Sequence, residues 1–394
     1  MIPVRLITFS CIAEILAMTS FAAFPALMPH FFEAWNLSGT QAGWINGAYF
    51  LGFTIFGLLA SAVTDRIDAR SVVLVGHVVA IAGAAGFAFL SHDFATALPW
   101  RFLSGAALAC AYMPGLKMLN DRIPALSQAR AIAFYTACFS TGSAFSFLIV
   151  GLVNDYFDPQ SALVVAASGP PLALILVLLL NRPLPVLHPR PWKHIFNFMP
   201  VLKNRVTMGY VTAYFCHSWE LMAMRSFVVA FLTFAATQSA PPEWLSVSLV
   251  SSVVIFMGLP ASVLGNEFSL KFGRRPSILV IMAIAFVLAI LMGFSIGAPF
   301  WIVAILAIMY GFFVTADSSS ITSGAVTSAP EKLKGSTMAV HSFVGFGGAM
   351  AGPVIAGIVL DLAGGRSDAM AWGFTYLSMA SIAILTPIAF KIAR

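Results

Sequence analysis

The stretch "AEILAMTSF" at residues 13–21 occurs a second time, in altered form, as "WELMAMRSF" at residues 219–227. Five of the eight positions from Glu14 to Phe21 are identical in the second copy, where Glu220 stands 206 positions after Glu14. Each copy places one glutamate inside an apolar run. An acid in a lipid-facing setting is costly, so it normally faces the interior of a helix bundle and has a partner. The recurrence indicates an internal duplication.

The composition of the whole chain predicts a membrane protein. Of its 394 residues, 60% are hydrophobic and 9% are charged, and the mean hydropathy is +0.92. About a quarter of the residues of soluble proteins are charged, so the composition excludes a soluble class. Apolar runs of about 20 residues recur along the chain, and each can cross a hydrocarbon layer of roughly 30 Å as a helix.

The hydropathy pattern predicts twelve helical spans. The first of them also resembles a cleavable signal peptide, but cleavage would remove Glu14 and one copy of the repeat, so we interpret it as a span. The four cysteines fall inside apolar segments and are expected to be free thiols. The predicted spans are 6–29, 42–64, 71–90, 97–119, 130–153, 160–180, 206–235, 244–266, 276–296, 299–323, 335–360 and 370–390.

The distribution of Lys and Arg predicts the orientation. With the N-terminus in the cytoplasm, eighteen of the 21 basic residues lie on the inner side, and Arg366 lies in an outer loop. Both termini are therefore expected to be cytoplasmic, in a bacterial-type inner (plasma) membrane. The net charge of +6 is then a topology signal, and no nucleic-acid partner is expected.

The duplication predicts two helical halves joined by a cytoplasmic linker. Residues 1–181 hold six spans, residues 206–394 hold the other six, and residues 182–205 between them are rich in proline and basic residues. The basic loops at 65–70 and 270–275 recur at nearly the same offset as the glutamates. A constant offset predicts two parallel halves related by a pseudo-two-fold axis along the membrane normal, an arrangement with the substrate site at the midplane.

The two basic loops read "SAVTDRIDAR" (61–70) and "NEFSLKFGRR" (266–275). They resemble the cytoplasmic motif G-x-x-x-D-R-x-G-R-R of the Major Facilitator Superfamily, and the resemblance covers essentially the whole chain. The first copy has Ser61 and Asp68 where glycines are usual, and the second has Leu270 in place of the acid. The resemblance implies the all-α fold of that superfamily, with twelve transmembrane helices in two six-helix halves. It also implies a cytoplasmic gate made by Asp65, Arg66, Arg70, Lys271, Arg274 and Arg275.

Two further motifs bear on this resemblance. The segment "PWRFLSGAALACAYMPG" (99–115) resembles the R-F-x-x-G signature of the family, with Arg101 and Gly105 at the matching positions. The family analogy implies that Arg101 turns inward and influences proton transfer or anions; the alternative is an arginine that snorkels to the interface. The Gly-Pro pair that marks antiporters of the family in span five is absent from "GSAFSFLIVG" (142–151), and this weakens the interpretation as an efflux antiporter.

Glu14 and Glu220 are the main candidates for proton coupling. Both lie well inside their spans, and burial of a carboxyl group favours its neutral form, which suits a group that gains and loses a proton. The alternative is a structural role as protonated acids hydrogen-bonded between helices.

Arg225 has no counterpart in the first copy, where Thr19 takes its position. A forked guanidinium suits a carboxylate or a phosphate. Arg225 is therefore expected either to pair with a carboxylate on another helix or to bind an anionic substrate.

The remaining candidate residues are chosen by their spacing along a helix and by their position within a predicted span. His217, Glu220 and Met224 share one helical face, and Cys11, Glu14 and Met18 repeat that spacing. These six residues are an alternative transition-metal site, while His217 is expected to act as a proton relay or hydrogen-bond partner. Lys117 and Asp317 are a hypothetical gate pair. The secondary cavity candidates are Tyr49, Tyr112, Tyr310, Asp317 and His341.

The sequence therefore predicts a secondary active transporter that moves a small, anionic organic solute by rocker-switch alternating access, coupled to protons. The alternatives are efflux of amphipathic compounds by proton antiport, transport of a transition metal or metal chelate, and a non-transporting membrane receptor. No P-loop sequence occurs, so a gradient is the expected energy source. We expect no enzymatic activity, no cofactor, and a monomer whose partners are a solute and the lipid bilayer.

Overall fold

The computed structural model describes residues 3–64, 66–180, 182–184, 198–330 and 333–393. All the regular elements within these residues are helices. Among them, eleven helices or helix pairs are long and apolar enough to cross a membrane, and the bent pair Val4–Ser20 and Pro25–Ala34 passes the same test as a unit. This agrees with the twelve predicted spans and confirms the all-α fold class, while the cytoplasmic position of the termini stays a prediction.

The helices of the described residues follow in chain order. They are α1 (Pro3–Ala17), α2 (Met28–Ala34), α3 (Gly39–Val63), α4 (Ala69–Leu90), α5 (Phe94–Asn120), α6 (Ala125–Tyr156), α7 (Pro159–Leu180), α8 (Met199–Leu202), α9 (Arg205–Gln238), α10 (Val247–Phe256), α11 (Gly258–Phe272), α12 (Arg274–Gly293), α13 (Phe300–Ala316), α14 (Ser318–Ser328), α15 (Lys334–Leu362), α16 (Ala369–Ser381) and α17 (Leu385–Ile392).

Several predicted spans consist of more than one helix in the structure. In the first span, α1 and α2 are separated by short 3₁₀ turns and meet at an angle of 41°. Pro25 and Pro29 explain this break, because proline has no N–H to donate to the preceding turn. Pro260 and Pro387 likewise stand in the first turns of α11 and α17, where the missing N–H is tolerated. The break between α13 and α14 falls at Asp317, where no proline is present.

A serine of α6 satisfies the backbone groups that the first break releases. The Ser146 hydroxyl donates to the carbonyl of Thr19 at 2.6 Å and accepts from the N–H of Ala22 at 2.9 Å. The Thr19 hydroxyl in turn donates to the carbonyl of Ala166 in α7 at 2.8 Å. Polar backbone within a bilayer must find such partners inside the protein. The interruption is therefore supported by neighbouring helices.

The chain divides into two compact units. The first comprises Met1–Leu27 and Ala48–Ile195, and the second comprises Met28–Gly47 and Phe196–Arg394. Residues 28–47, which the sequence assigns to the first half, belong to the second unit, and the predicted linker 182–205 is divided between the two units. Of the predicted linker, residues 185–197 lie outside the described part of the chain.

Close helix packing in the first unit depends on glycine. A Cβ on Gly105 of α5 would overlap the carbonyl of Tyr49 in α3, and a Cβ on Gly52 would overlap the carbonyl of Phe102. Small residues let transmembrane helix backbones approach in this way. The glycine of the R-F-x-x-G segment is thus a packing residue.

Within the second unit, Asp361 at the end of α15 caps the N-terminus of α3. Its carboxylate accepts from the N–H of Gly39 at 2.7 Å, and from the N–H and hydroxyl of Thr40 at 2.8 and 2.6 Å. A carboxylate at a helix N-terminus satisfies orphan N–H groups and favours the helix dipole. This cap explains why residues 28–47 pack with the second unit.

Candidate functional site

The first buried acid, Glu14 of α1, is 2% exposed. The Tyr135 hydroxyl of α6 donates to Glu14 Oε2 at 2.9 Å. The other carboxylate oxygen, Oε1, has no hydrogen-bond partner within the described residues. Ala13 and Ala17 flank the acid and pack into a core of small and aliphatic side chains. A carboxylate with one donor and one unpartnered oxygen can take up a proton on the second oxygen while it keeps its hydrogen bond.

Two further side chains complete this first acid cluster. Tyr112 of α5 stacks on the Tyr135 ring, with centroids 6.0 Å apart. Cys11, one helical turn before Glu14, packs into the same hydrophobic cluster as Tyr135. The first acid cluster thus consists of Cys11, Glu14, Tyr112 and Tyr135. Tyr135 was not among the predicted site residues, although it lies 206 positions before the predicted His341.

The second buried acid, Glu220 of α9, has a similar environment. It is 3% exposed, and the Tyr310 hydroxyl of α13 donates to its Oε1 at 3.0 Å. Glu220 and Tyr310 are separate candidates in the sequence, and the structure brings them together. Each glutamate therefore has a tyrosine hydroxyl from another helix of its own unit.

One turn before Glu220, His217 meets Asp317 at the break between α13 and α14. His217 Nδ1 lies 2.7 Å from Asp317 Oδ1, and both side chains are buried. The two atoms are within ion-pair distance but are not aligned for a hydrogen bond, and neither has another hydrogen-bond partner among the described residues. The interruption of the helix thus holds a carboxylate beside an imidazole.

An aromatic stack links this pair to His341 of α15. The Tyr214 ring stacks on His341 at 3.9 Å and on His217 at 5.7 Å between centroids, with the planes nearly parallel. Thr322 Oγ1 and His341 Nε2 lie 3.2 Å apart. We define the second acid cluster as His217, Glu220, Tyr310, Asp317 and His341, with Tyr214 between the histidines. Five residues predicted separately are thus assembled in one unit.

Arg225 follows Glu220 by five residues in α9, and its side chain is 4% exposed. Its neighbours include Gly258 and Thr315. In the described part of the chain its Nε and Nη1 atoms have no hydrogen-bond partner, and it forms no ion pair with a carboxylate. Of the two expectations for Arg225, the internal pairing therefore gains no support.

Arg101 is also buried, at 3% exposure, but it lies in the first unit. Its guanidinium lies over the ring of Tyr49 at 4.5 Å and near that of Phe87 at 5.6 Å. The side chain is thus buried among aromatic rings of its own unit, and an influence of Arg101 on proton transfer or anions stays a prediction. The predicted cavity candidate Tyr49 packs against this arginine.

No group of three or more His, Cys, Asp or Glu side chains comes together as metal ligands in the residues that the structure describes. Met18 and Met224, the two methionines of the metal alternative, are fully buried. Met18 packs beside Gly142, as a core residue does. The transition-metal alternative therefore gains no support.

Sequence comparison decides the family. The Major Facilitator Superfamily profile matches residues 10–247 and, in a second match, residues 222–393. The chain belongs to the Major Facilitator Superfamily. It is accordingly a multi-pass membrane transporter of the general kind found in this superfamily, with a small-molecule solute as its partner.

Two relatives in Bacillus subtilis (strain 168) align over nearly the whole chain. The uncharacterized MFS-type transporter YceJ is 22% identical over 379 residues, covering 90% of this chain and 89% of the relative. A hexuronate transporter is 24% identical over 409 residues, covering 97% of this chain and 94% of the relative. Both alignments agree with the superfamily assignment.

Solved structures of the superfamily share the fold. The POT family transporter PepTSo superposes with a TM-score of 0.79 at 15% identity, covering 99% of this chain and 98% of that chain. The nucleoside transporter NupG superposes with a TM-score of 0.78 at 13% identity, covering 98% of this chain and 98% of that chain. At these identities the likeness concerns the fold alone.

The superfamily loop motifs are only partly placed by the structure. Asp65 lies outside the described residues. Arg66 and Arg70, which follow it in the same loop motif, are half-buried. Lys271 is exposed, and Arg274 is half-buried at the start of α12. Arg275 Nη2 donates to the carbonyl of Ala393 at 3.3 Å. The gate role of these six residues stays a prediction.

Asp68, which replaces a motif glycine, has a clear structural role. It caps α4 through the N–H of Arg70, and it accepts two hydrogen bonds from Arg122 Nη2 at 2.8 and 2.9 Å. The N–H of Leu184 donates to it at 2.8 Å. Burial raises the pKa of Asp68, but these hydrogen bonds and the nearby guanidinium outweigh burial and lower its pKa overall. Asp68 and Arg122 thus hold residues 182–184 against the loop between α3 and α4.

The hypothetical gate pair of Lys117 and Asp317 would join the two units, and it stays a prediction. Lys117 Nζ pairs with Asp121 of its own helix at 2.7 Å, and Asp317 pairs with His217. Each of these two side chains therefore contacts an ionisable side chain of its own unit.

Proposed function

We propose that this protein is a proton-coupled secondary transporter of a small organic anion, which works by alternating access of its two halves in a bacterial-type inner membrane. The observation that carries the proposal is Arg225. A buried charge normally has a partner, because desolvation of an unpaired ion is expensive. Arg225 has no carboxylate partner within the described residues, so an anionic solute is the natural occupant of its guanidinium fork.

The name of one relative supports the same class of solute. Hexuronates are sugar acids that carry one carboxylate, and the hexuronate transporter of Bacillus subtilis aligns over 97% of this chain. A monocarboxylate on a polar carbon skeleton fits a single planar guanidinium. We therefore propose carboxylated organic solutes of this size as the substrate class.

The two acid clusters support proton coupling. Glu14 and Glu220 each have one tyrosine donor and are shielded from solvent. Protonation removes a buried negative charge from one cluster, which changes the relative free energies of the inward- and outward-open states. A ligand or a proton shifts such an equilibrium only by its differential affinity for the two states.

The anion proposal is tested by uptake into proteoliposomes without ATP. Radiolabelled glucuronate and glucose form a matched pair, since they differ at one carbon, which is a carboxylate in glucuronate and a hydroxymethyl group in glucose. An acidic exterior medium should drive the accumulation of glucuronate, or of another carboxylate from a panel of carboxylated solutes. Glucose, and the neutral counterpart of each other carboxylate, should not accumulate. Arg225→Gln should abolish uptake, while Arg205→Gln, at an exposed position, should retain it. Transport of neutral or cationic compounds alone, or undiminished carboxylate uptake by Arg225→Gln, would overturn the anion proposal.

The coupling proposal has its own experiment. Glu14→Gln, Glu220→Gln and the double variant are compared for gradient-driven accumulation and for exchange of solute at equal pH. The double variant should lose accumulation while it retains exchange, because a glutamine cannot carry a proton. Glu243→Gln, at an exposed loop position, is the control and should behave like the wild type. Full accumulation by the double variant would remove both glutamates from the coupling mechanism.

A further inference from the structure

Arg101 of α5 is a buried cation without a carboxylate partner in the described part of the first unit. Its Nη2 reaches the carbonyl of Phe21 at 3.5 Å, a long hydrogen bond, and its Nε has no hydrogen-bond partner among the described residues. Aromatic faces of Tyr49 and Phe87 cover the guanidinium. Ring faces attract a cation but do not neutralise it.

A small cavity adjoins this guanidinium. The centre of a water-sized sphere can move within about 10 Å³ of it, so a single small particle fits. Ser20 and Ser104 contribute hydroxyl groups to its wall, and small or apolar residues such as Ala84 and Ala166 form most of the remainder. All of its lining residues belong to the first unit. An organic solute is far too large for this space.

The fold itself creates this cavity. Ser20 stands at the end of the 3₁₀ turn after α1, where the first span is interrupted. The Ser104 hydroxyl donates to the carbonyl of Trp100 at 2.9 Å, a local bond that rotation of the hydroxyl can exchange for another acceptor. The cavity therefore offers hydrogen-bond donors and one full positive charge, and no carboxylate lines it.

We propose that this cavity binds one monatomic anion of the size of chloride, which serves as a fixed counter-ion of Arg101. A water molecule could fill the space, but it would leave the positive charge uncompensated in an apolar surrounding. A chloride would accept from Arg101 Nε and from the serine hydroxyls, and charge-assisted hydrogen bonds of this kind are stronger than neutral ones. Sulfate, phosphate and carboxylates have several heavy atoms and need more space than a single chloride ion. The halide is distinct from the transported solute, so the inference goes beyond the proposed function.

The inference is tested on the purified full-length protein. Its unfolding temperature is measured in sodium chloride, bromide, gluconate and sulfate at matched ionic strength. Ligand binding to the folded state raises apparent stability by mass action. Chloride and bromide should give a saturable rise that gluconate and sulfate do not give. The anomalous signal of bromide in crystals should lie in the cavity beside Arg101.

Variants separate this site from general salt effects. Arg101→Gln should weaken chloride binding at least about tenfold, since a hydrogen bond to a charged group is lost. Because Arg101→Gln could also impair folding, Ala84→Val provides a second test that fills the cavity and leaves the arginine in place. It should abolish the chloride effect. Ser143→Ala, at a buried serine outside the cavity, and Arg225→Gln should both retain the effect.

Three outcomes would overturn the inference. They are equal unfolding temperatures in chloride and gluconate, a chloride effect that persists in Ala84→Val, and a bromide site elsewhere without one at Arg101. None of these outcomes would contradict the proposed solute site, because that site is tested separately by the transport activity of the Arg225 and glutamate variants. Water is then the occupant of the cavity.

Discussion

The Tyr310 hydroxyl donates a 3.0 Å hydrogen bond to the Glu220 carboxylate. Tyr135 makes the corresponding bond to Glu14 at 2.9 Å. The acids occupy equivalent positions of the two copies, but their tyrosine partners do not. Tyr135 lies in α6, and the position 206 residues later is His341. The duplication has thus kept the chemistry of the pair while the donor helix differs.

Removal of the Tyr310 hydroxyl should weaken the second acid cluster. A double-mutant cycle of Tyr310→Phe and Glu220→Gln should give a coupling free energy of about 0.6 to 1.7 kcal/mol, the range of hydrogen bonds within membranes. Tyr376→Phe is the matched control, because the Tyr376 hydroxyl is buried without a hydrogen-bond partner in the described residues. A coupling near zero, or an equal loss in Tyr376→Phe, would contradict the importance of this bond.

Ser146 should be essential for the interruption of the first span. Ser146→Ala leaves the Thr19 carbonyl without its donor and the Ala22 N–H without its acceptor, and each unpaired buried group costs about 1–3 kcal/mol. We expect a clearly lower unfolding temperature. Ser143→Ala, one helical turn earlier, should have little effect, because the Ser143 hydroxyl has no partner within the described chain. If the two variants were equally stable, the serine would not support the break.

Asp68 should make stability depend on pH. In the folded state the pKa of the Asp68 carboxylate lies below its ordinary value near 3.9. The charged carboxylate therefore stabilises the folded state at any pH above about 3.9. This stabilisation is lost as the pH falls through the lower pKa of the folded state. Asp68→Asn should therefore be less stable than the wild type at neutral pH, by up to about 1 kcal/mol. The difference should shrink below about pH 4. A difference that stays constant down to the acid limit would rule out the carboxylate charge as its cause.

Asp361 should stabilise the first turn of α3 although 321 positions separate it from Thr40. Loss of a helix cap costs about 0.5–2 kcal/mol, so Asp361→Ala should increase hydrogen exchange at residues 39–43. Asp368 is the matched control, since it caps only its own helix through Met370 and Ala371. Asp368→Ala should leave exchange in α3 unchanged. The role of Asp361 would be refuted by identical exchange patterns in the two variants.

Gly105 should not tolerate a side chain. Gly105→Ala would force its Cβ into the carbonyl of Tyr49, and we expect poor folding or a strong loss of stability. Gly347 in α15 has no atom within 4 Å of a built Cβ. Gly347→Ala should therefore be neutral or stabilising by about 0.5–1 kcal/mol, because alanine is the better helix former. Thermal unfolding of both variants decides the matter, and equal stability would show that α3 and α5 can separate at little cost.

The amino-acid sequence by itself determined the fold class, the approximate spans and the two glutamates. Hydrophobic runs of a fixed length must become helices in lipid, and a repeat at a constant offset shows which positions are equivalent. These properties are local or periodic. They can therefore be read without knowledge of which helices are neighbours.

Only the tertiary structure decided the partners of the functional residues. Tyr135 meets Glu14, Ser146 meets Thr19, and Asp361 meets Thr40 across long sequence separations. A hydrogen bond acts over about 3 Å, so its existence depends on the rotation and depth of two packed helices, which neither segment encodes alone. The absence of a carboxylate beside Arg225 in the described residues is a property of the packing for the same reason.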